Sequence, residues 1–106
     1  MKKIQTSNEL IPILEANGFQ VHKGNKIYAT GLESIYTEMD CGYLDFYYNS
    51  DKKIIAMGYS LRSLKGVTVN GFIEFYKGET EIKISIGEDG IAVERVDPFH
   101  SLLRER

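Results

Sequence analysis

Val67-Thr68-Val69-Asn70-Gly71-Phe72-Ile73-Glu74-Phe75-Tyr76, followed after a short break by Thr80-Glu81-Ile82-Lys83-Ile84-Ser85-Ile86, is the stretch that decides the fold. Ile82, Ile84 and Ile86 alternate with Glu81, Lys83 and Ser85, the two-residue period of a strand with one buried face. Asn70-Gly71 stands between two runs of β-branched and aromatic residues. It is the strongest short hairpin signal in the chain and predicts that 67–69 pairs with 72–76. Beyond it, Gly87-Glu88-Asp89-Gly90 reads as a turn into a last strand over 91–96. Upstream, a strand over 54–59 would place Ile55, Met57 and Tyr59 on one face, and one over 43–48 would place Leu44, Phe46 and Tyr48 together. The polar turn Asn49-Ser50-Asp51-Lys52-Lys53 joins these two. Gly24-Asn25 predicts another hairpin, between 19–23 and 26–30. Residues 60–66 read equally as a helical turn or a strand end.

Helical signals gather at the start. Thr6 and Glu9 have the spacing of a capping box, with Ser7 or Asn8 as alternative caps. Leu10, Ile11, Ile13 and Leu14 give an apolar stripe, and Gly18 after Asn17 is a left-handed terminator. Pro12 removes a backbone donor inside that helix, which favours a cap near Asn8 and an end near Asn17. Asp97-Pro98 could cap a short final helix carrying Phe99, Leu102 and Leu103 on one face. The fold expected is therefore α+β, mainly β: an N-terminal helix and then about seven or eight short antiparallel strands in a sandwich or half-barrel. Residues 1–106 form a single domain, large enough for one core and too small for two. Leu44, Phe46, Phe72, Phe75 and the isoleucines are assigned to that core.

Charge is the second informative pattern. The 25 residues from Ile27 to Asp51 hold Glu33, Glu38, Asp40, Asp45 and Asp51 and no Lys or Arg, a local charge of −5. Five of the seven tyrosines, Tyr28, Tyr36, Tyr43, Tyr47 and Tyr48, fall in the same stretch. Lys52, Lys53, Arg62 and Lys65 follow with no acid before Glu74, and the sign turns negative again beyond it. Ordinary solvated surfaces intersperse the two signs. Acids protect exposed sheet edges from aggregation, so a solvated acidic edge is the plain reading of this stretch. Tyrosine, however, supplies large rigid contact area, and clustered carboxylates attract a cationic partner from a distance. Tyr43, Asp45 and Tyr47 would point outward if Leu44 and Phe46 point inward. The candidate partner-binding residues are Glu33, Tyr36, Glu38, Asp40, Tyr43, Asp45 and Tyr47.

Catalytic and metal chemistry find no constellation. Cys41 is the one thiol and neighbours Asp40, whose charge raises rather than lowers a thiol pKa. His22 and His100 are the only histidines and lack ligand spacing, and Glu38, Asp40 and Asp45 match no calcium loop. No metal, cofactor or enzymatic activity is expected. A net charge of −2 argues against a nucleic-acid surface. A single cysteine excludes an intrachain disulfide, which suits a reducing cytoplasm. Lys2-Lys3 have no apolar run behind them, and no apolar segment nears the roughly 20 residues of a membrane span. A cytoplasmic protein without a membrane role is expected.

Residues 14–28, with Asn17-Gly18-Phe19 and Lys23-Gly24 between helix and strands, resemble the opening of HicA-type toxin RNases. That family continues into a second helix and carries a histidine just after the equivalent glycine. Asn25-Lys26-Ile27 stands there instead, so the resemblance transfers no catalytic residue. Size, the acidic tyrosine-rich stretch over 33–51 and the lack of a catalytic set resemble the immunity proteins of bacterial contact-dependent inhibition and polymorphic toxin systems. That resemblance implies an inhibitor that docks on a basic protein such as a nuclease toxin and occludes its active site; a monomer is expected over a homo-oligomer. The alternative is a small-ligand-binding protein or enzyme with a pocket on the concave side of a curved sheet.

Overall fold

Thr6, rather than Asn8, starts the helix. Its hydroxyl accepts the Glu9 backbone N–H at 3.2 Å and donates to the Glu9 carboxylate at 2.9 Å, so the first turn is closed by the predicted Thr-Glu pair. The computed structural model describes residues 3–96. Within them α1 (Ser7–Ala16) precedes eight strands: β1 (Val21–Lys23), β2 (Glu33–Met39), β3 (Gly42–Tyr48), β4 (Ile54–Leu61), β5 (Lys65–Thr68), β6 (Gly71–Lys77), β7 (Thr80–Gly87) and β8 (Gly90–Val96). Pro12 lies inside α1 and costs it one backbone bond. Gly18, at φ +86°, turns the chain out of the helix as expected. The final helix anticipated after Asp97 lies outside the described residues.

The strands form two antiparallel sheets, one of order β1-β2-β3-β4-β5 and one of order β6-β7-β8. Mainly-β α+β architecture is thus the fold, and among the described residues no barrel closes. Leu10 and Leu14 of α1, Leu44, Phe46 and Met57 of the larger sheet, and Ile82, Ile84 and Ile91 of the smaller are buried in one core. The N-terminal segment ties the sheets together. Ile4 exchanges two backbone hydrogen bonds of 2.7 Å with Ile91, and the Ile54 N–H donates to the Gln5 carbonyl at 2.9 Å.

Both glycine-marked hairpins fold otherwise than expected. Residues on either side of Asn70-Gly71 belong to different sheets, since β5 pairs back on β4 and β6 on β7. Neither Asn70 nor Gly71 has positive φ, so the type I′ turn that a two-residue hairpin needs does not form. The Thr68 hydroxyl instead accepts the Asn70 N–H at 3.2 Å, and the dipeptide becomes the crossover between sheets. Gly24-Asn25 likewise opens a loop, and β1 pairs with β2. Ile27 bridges Leu32, and its carbonyl accepts the Thr30 and Gly31 N–H groups in a turn rather than a strand ladder.

Strand β2 was not anticipated. Its Ile35, Thr37 and Met39 face the core side while Ser34, Tyr36 and Glu38 face out, opposite the outward residues of β3. In β4 the register shifts between Tyr47 and Tyr48, leaving Ile55 as the extra residue. That bulge turns Ile54 into the core beside Met57 and pushes Ile55 out, against the shared face expected for Ile55, Met57 and Tyr59. Phe72 is also outside, 59% exposed, because Ile73 and Phe75 take the inward positions of β6. Ile13 and Ile27 are exposed as well.

Candidate functional site

The outer face of the five-stranded sheet is built by alternation. With Leu44, Phe46 and Tyr48 of β3 in the core, Tyr43, Asp45 and Tyr47 must face away from it. Register then decides their neighbours. Glu38 lies opposite Tyr43, Tyr36 opposite Asp45, and Ser34 opposite Tyr47. On the other flank Asp45 faces Gly58 and Tyr43 faces Ser60 of β4. His22 of β1 lies across from Tyr36, with ring centroids 5.2 Å apart. Tyr36 and Tyr43 are 6.3 Å apart at 59°.

These side chains border an open trough of about 520 Å³, lined by Tyr36, Glu38, Tyr43, Asp45 and Tyr47 together with Ser34, Ile27 and the stretch Lys23-Gly24-Asn25. Five of the seven predicted partner-binding residues therefore meet at one place. The other two do not. Glu33 falls on the core-facing side of β2, opposite Tyr48, and pairs with Lys52 at 3.6 Å. Asp40 sits in the β2–β3 turn, in a smaller cleft of about 170 Å³ with Glu38, Met39, Tyr76, Lys77 and Gly78. Asp51 lies in the turn before β4. Of the five acids counted along the stretch, two reach the trough. The tyrosines divide as well: Tyr48 is buried in the core, and Tyr28 is 89% exposed in the loop before β2.

Glycine at 58 shapes the trough. A side chain there would meet the Tyr47 ring at 3.1 Å and Asp45 Cβ at 3.5 Å, so its absence lets Tyr47 lie down across β4 beside Asp45. Burial beneath this cover raises the Asp45 carboxyl pKa above its ordinary value. Burial first, and then the Asp45 charge, raise the Tyr47 phenol pKa. Among the described residues the ion pair within 4.0 Å is Lys52–Glu33, on the opposite side of the sheet, and none of their cations pairs with Asp45.

His22, Ser34, Lys23 and Gly58 were not among the predicted site residues. A period-two reading of 33–39 would have found Ser34 and placed Tyr36 and Glu38 beside β3. His22 and Gly58 depend on strand order and register.

The core-facing side of the larger sheet is filled by Leu44, Phe46 and Met57, which have no exposure, where the ligand-pocket alternative needs space. A cleft of about 300 Å³ opens at its rim, between α1 and β1, lined by Ser7, Asn8, Ile11, Val21, Tyr48 and Lys52 among others. No group of three or more His, Cys, Asp or Glu among the described residues is placed to hold a metal ion. Among them no helix is long and apolar enough to cross a membrane. Compared with models of protein families, with characterised proteins and with solved structures, the chain finds no match in any of the three.

Proposed function

We propose that this chain is a protein-binding module: a cytoplasmic inhibitor of the immunity kind that lays the outer face of its five-stranded sheet on a basic protein, such as a nuclease toxin, and covers that protein's active site. The observation that carries this reading is the convergence of Tyr36, Tyr43 and Tyr47 with Glu38 and Asp45 around one trough. Rigid phenol rings supply contact area at low entropic cost. Two carboxylates that form no ion pair within 4.0 Å among the described residues supply attraction and orientation. Inhibition would follow from steric occlusion and requires no chemistry of the protein's own.

The test starts with affinity capture from the native host's lysate at low and high salt. Association of the recovered basic protein is then measured with wild type and with the double variant Glu38→Lys/Asp45→Lys. Reversal should slow association by about 10- to 100-fold at low salt, the range electrostatic steering commands. The slowing should shrink as salt rises. An unchanged association rate in the folded double variant would remove this face from the interface.

A further inference from the structure

Resting on the docking reading above, we infer that the trough is the receptor for one arginine side chain of the partner, with its guanidinium on Asp45 and its plane against the surrounding tyrosines. Asp45 occupies the centre of β3. Tyr43 and Tyr47 stand two residues to either side on the same face, about 13 Å apart along the backbone at strand rise. Tyr36 is directly across from Asp45 on β2, and its ring forms an open V with that of Tyr43, 6.3 Å apart at 59°. Tyr47 closes the other side by lying over Gly58. A half-buried carboxylate thus lies among three aromatic rings in a volume of about 520 Å³, more than one side chain fills and enough to admit flanking backbone.

The chemistry of this arrangement selects among ligands. Two carboxylates repel phosphate, so a nucleotide stacked on the rings is disfavoured. A divalent ion would find one carboxylate and phenols at the centre, far short of six oxygen ligands. A lysine ammonium could pair with Asp45 and sit over one ring as a point charge, but it has no planar fork for the carboxylate and no plane to stack on several rings. A guanidinium uses both: its fork matches a carboxylate with two parallel hydrogen bonds, and its plane stacks on an aromatic face. Lys23 borders the trough beside Gly24 and Asn25 without an ion pair to Asp45, and Glu38, opposite Tyr43, offers a second carboxylate to the residue flanking the arginine.

The experiment needs no partner. The ¹⁵N-labelled full chain is titrated at low salt with N-acetyl-arginine methylamide, and in parallel with the lysine equivalent, while backbone amide shifts are followed by NMR. The amides of Tyr36, Asp45, Tyr47 and Gly58 should shift along one saturable curve with the arginine probe. The lysine probe should bind several-fold more weakly. Asp45→Asn should lose about tenfold in affinity for arginine, the scale of a charge-assisted hydrogen bond, with its dispersed spectrum showing that it folds. Tyr43→Leu, which removes a 47% exposed ring and leaves the core untouched, should weaken arginine several-fold as a second variant. Absence of saturable shifts at these amides, an equal response to lysine, or full affinity in both variants would overturn the inference. Because the probe reports on the trough alone, such a result leaves salt-dependent partner association standing. Loss of that association in Glu38→Lys/Asp45→Lys with no arginine response would assign the face to docking by another residue type.

Discussion

The two sheets each turn an outer face to solvent, and the two faces are organised on opposite plans. On the three-stranded sheet acids and a base face one another across the strands: Glu74 lies opposite Lys83, and Lys83 opposite Glu94. Phe72, exposed there, is covered by the Lys83 ammonium 4.6 Å from its ring. The equivalent central row of the five-stranded sheet runs His22, Tyr36, Asp45, Gly58 and Val67. It has one carboxylate and no lysine or arginine. Cross-strand pairs of opposite charge stabilise a sheet modestly. A desolvated carboxylate without a partner costs stability. The first face sets a lysine between its acids, while the second holds a half-buried carboxylate with no lysine or arginine in its row. A surface that forgoes local stability in this way is where function is to be sought.

The largest expected effect separates the faces by binding. Glu38→Lys/Asp45→Lys should slow association with the proposed basic partner by the 10- to 100-fold stated above, whereas Glu74→Lys/Glu94→Lys on the smaller sheet should leave it within about twofold, since charges outside an interface steer weakly. Stopped-flow rates at two salt concentrations decide it, and equal slowing would erase the distinction. Next come the aromatic residues. Tyr47→Ala uncovers Gly58 and Ala56 and should cost roughly 1–2 kcal/mol of stability, while Phe72→Ala should stay within about 0.5 kcal/mol. Urea unfolding of both variants measures the difference.

Asp45→Asn tests the stability side directly. The folded-state pKa of Asp45 is raised by burial, so between the unfolded and folded values the native state binds more protons. Stability from this group is therefore lost as pH rises through that window, and the ionised form is the costly one above it. Asparagine should raise the melting temperature near pH 7, with the gain vanishing below about pH 3.9, the ordinary carboxylate value. A gain independent of pH would point to packing rather than charge. The smallest effect belongs to Lys83→Glu, which lines up three acids across β6, β7 and β8. It should cost about 0.5–1 kcal/mol in thermal unfolding and lessen with added salt.

Much of this was legible along the chain. Strict alternation in β3 and β7 named the inward Leu44, Phe46, Ile82, Ile84 and Ile86, and so the outward Tyr43, Asp45 and Tyr47. Where the period is interrupted, reading failed. The bulge at Ile55 changes which isoleucine of β4 is buried, and a bulge is set by the partner strand's register as much as by its own sequence. Asn70-Gly71 has the composition of a hairpin, yet Val67, Thr68 and the residues of β6 had other strands to pair with. Competition of that kind lies between segments and is invisible within one.

By itself the sequence determined a helix begun among Thr6, Ser7 and Asn8 and ended at Gly18, strands of period two, and a face on β3 that alternates tyrosine with aspartate. These are short-range consequences of capping, backbone sterics and side-chain periodicity. Only the tertiary structure decided that β2 lies beside β3, which brings Tyr36 and Glu38 to Asp45 and carries Glu33 away to Lys52. It also decided that Gly58 lies opposite Asp45, leaving room for Tyr47. Charge summed along a chain counts every acid alike. Folding sorts them between two faces of a sheet and two turns, because successive side chains of a strand point to opposite sides and pairing fixes which of them meet.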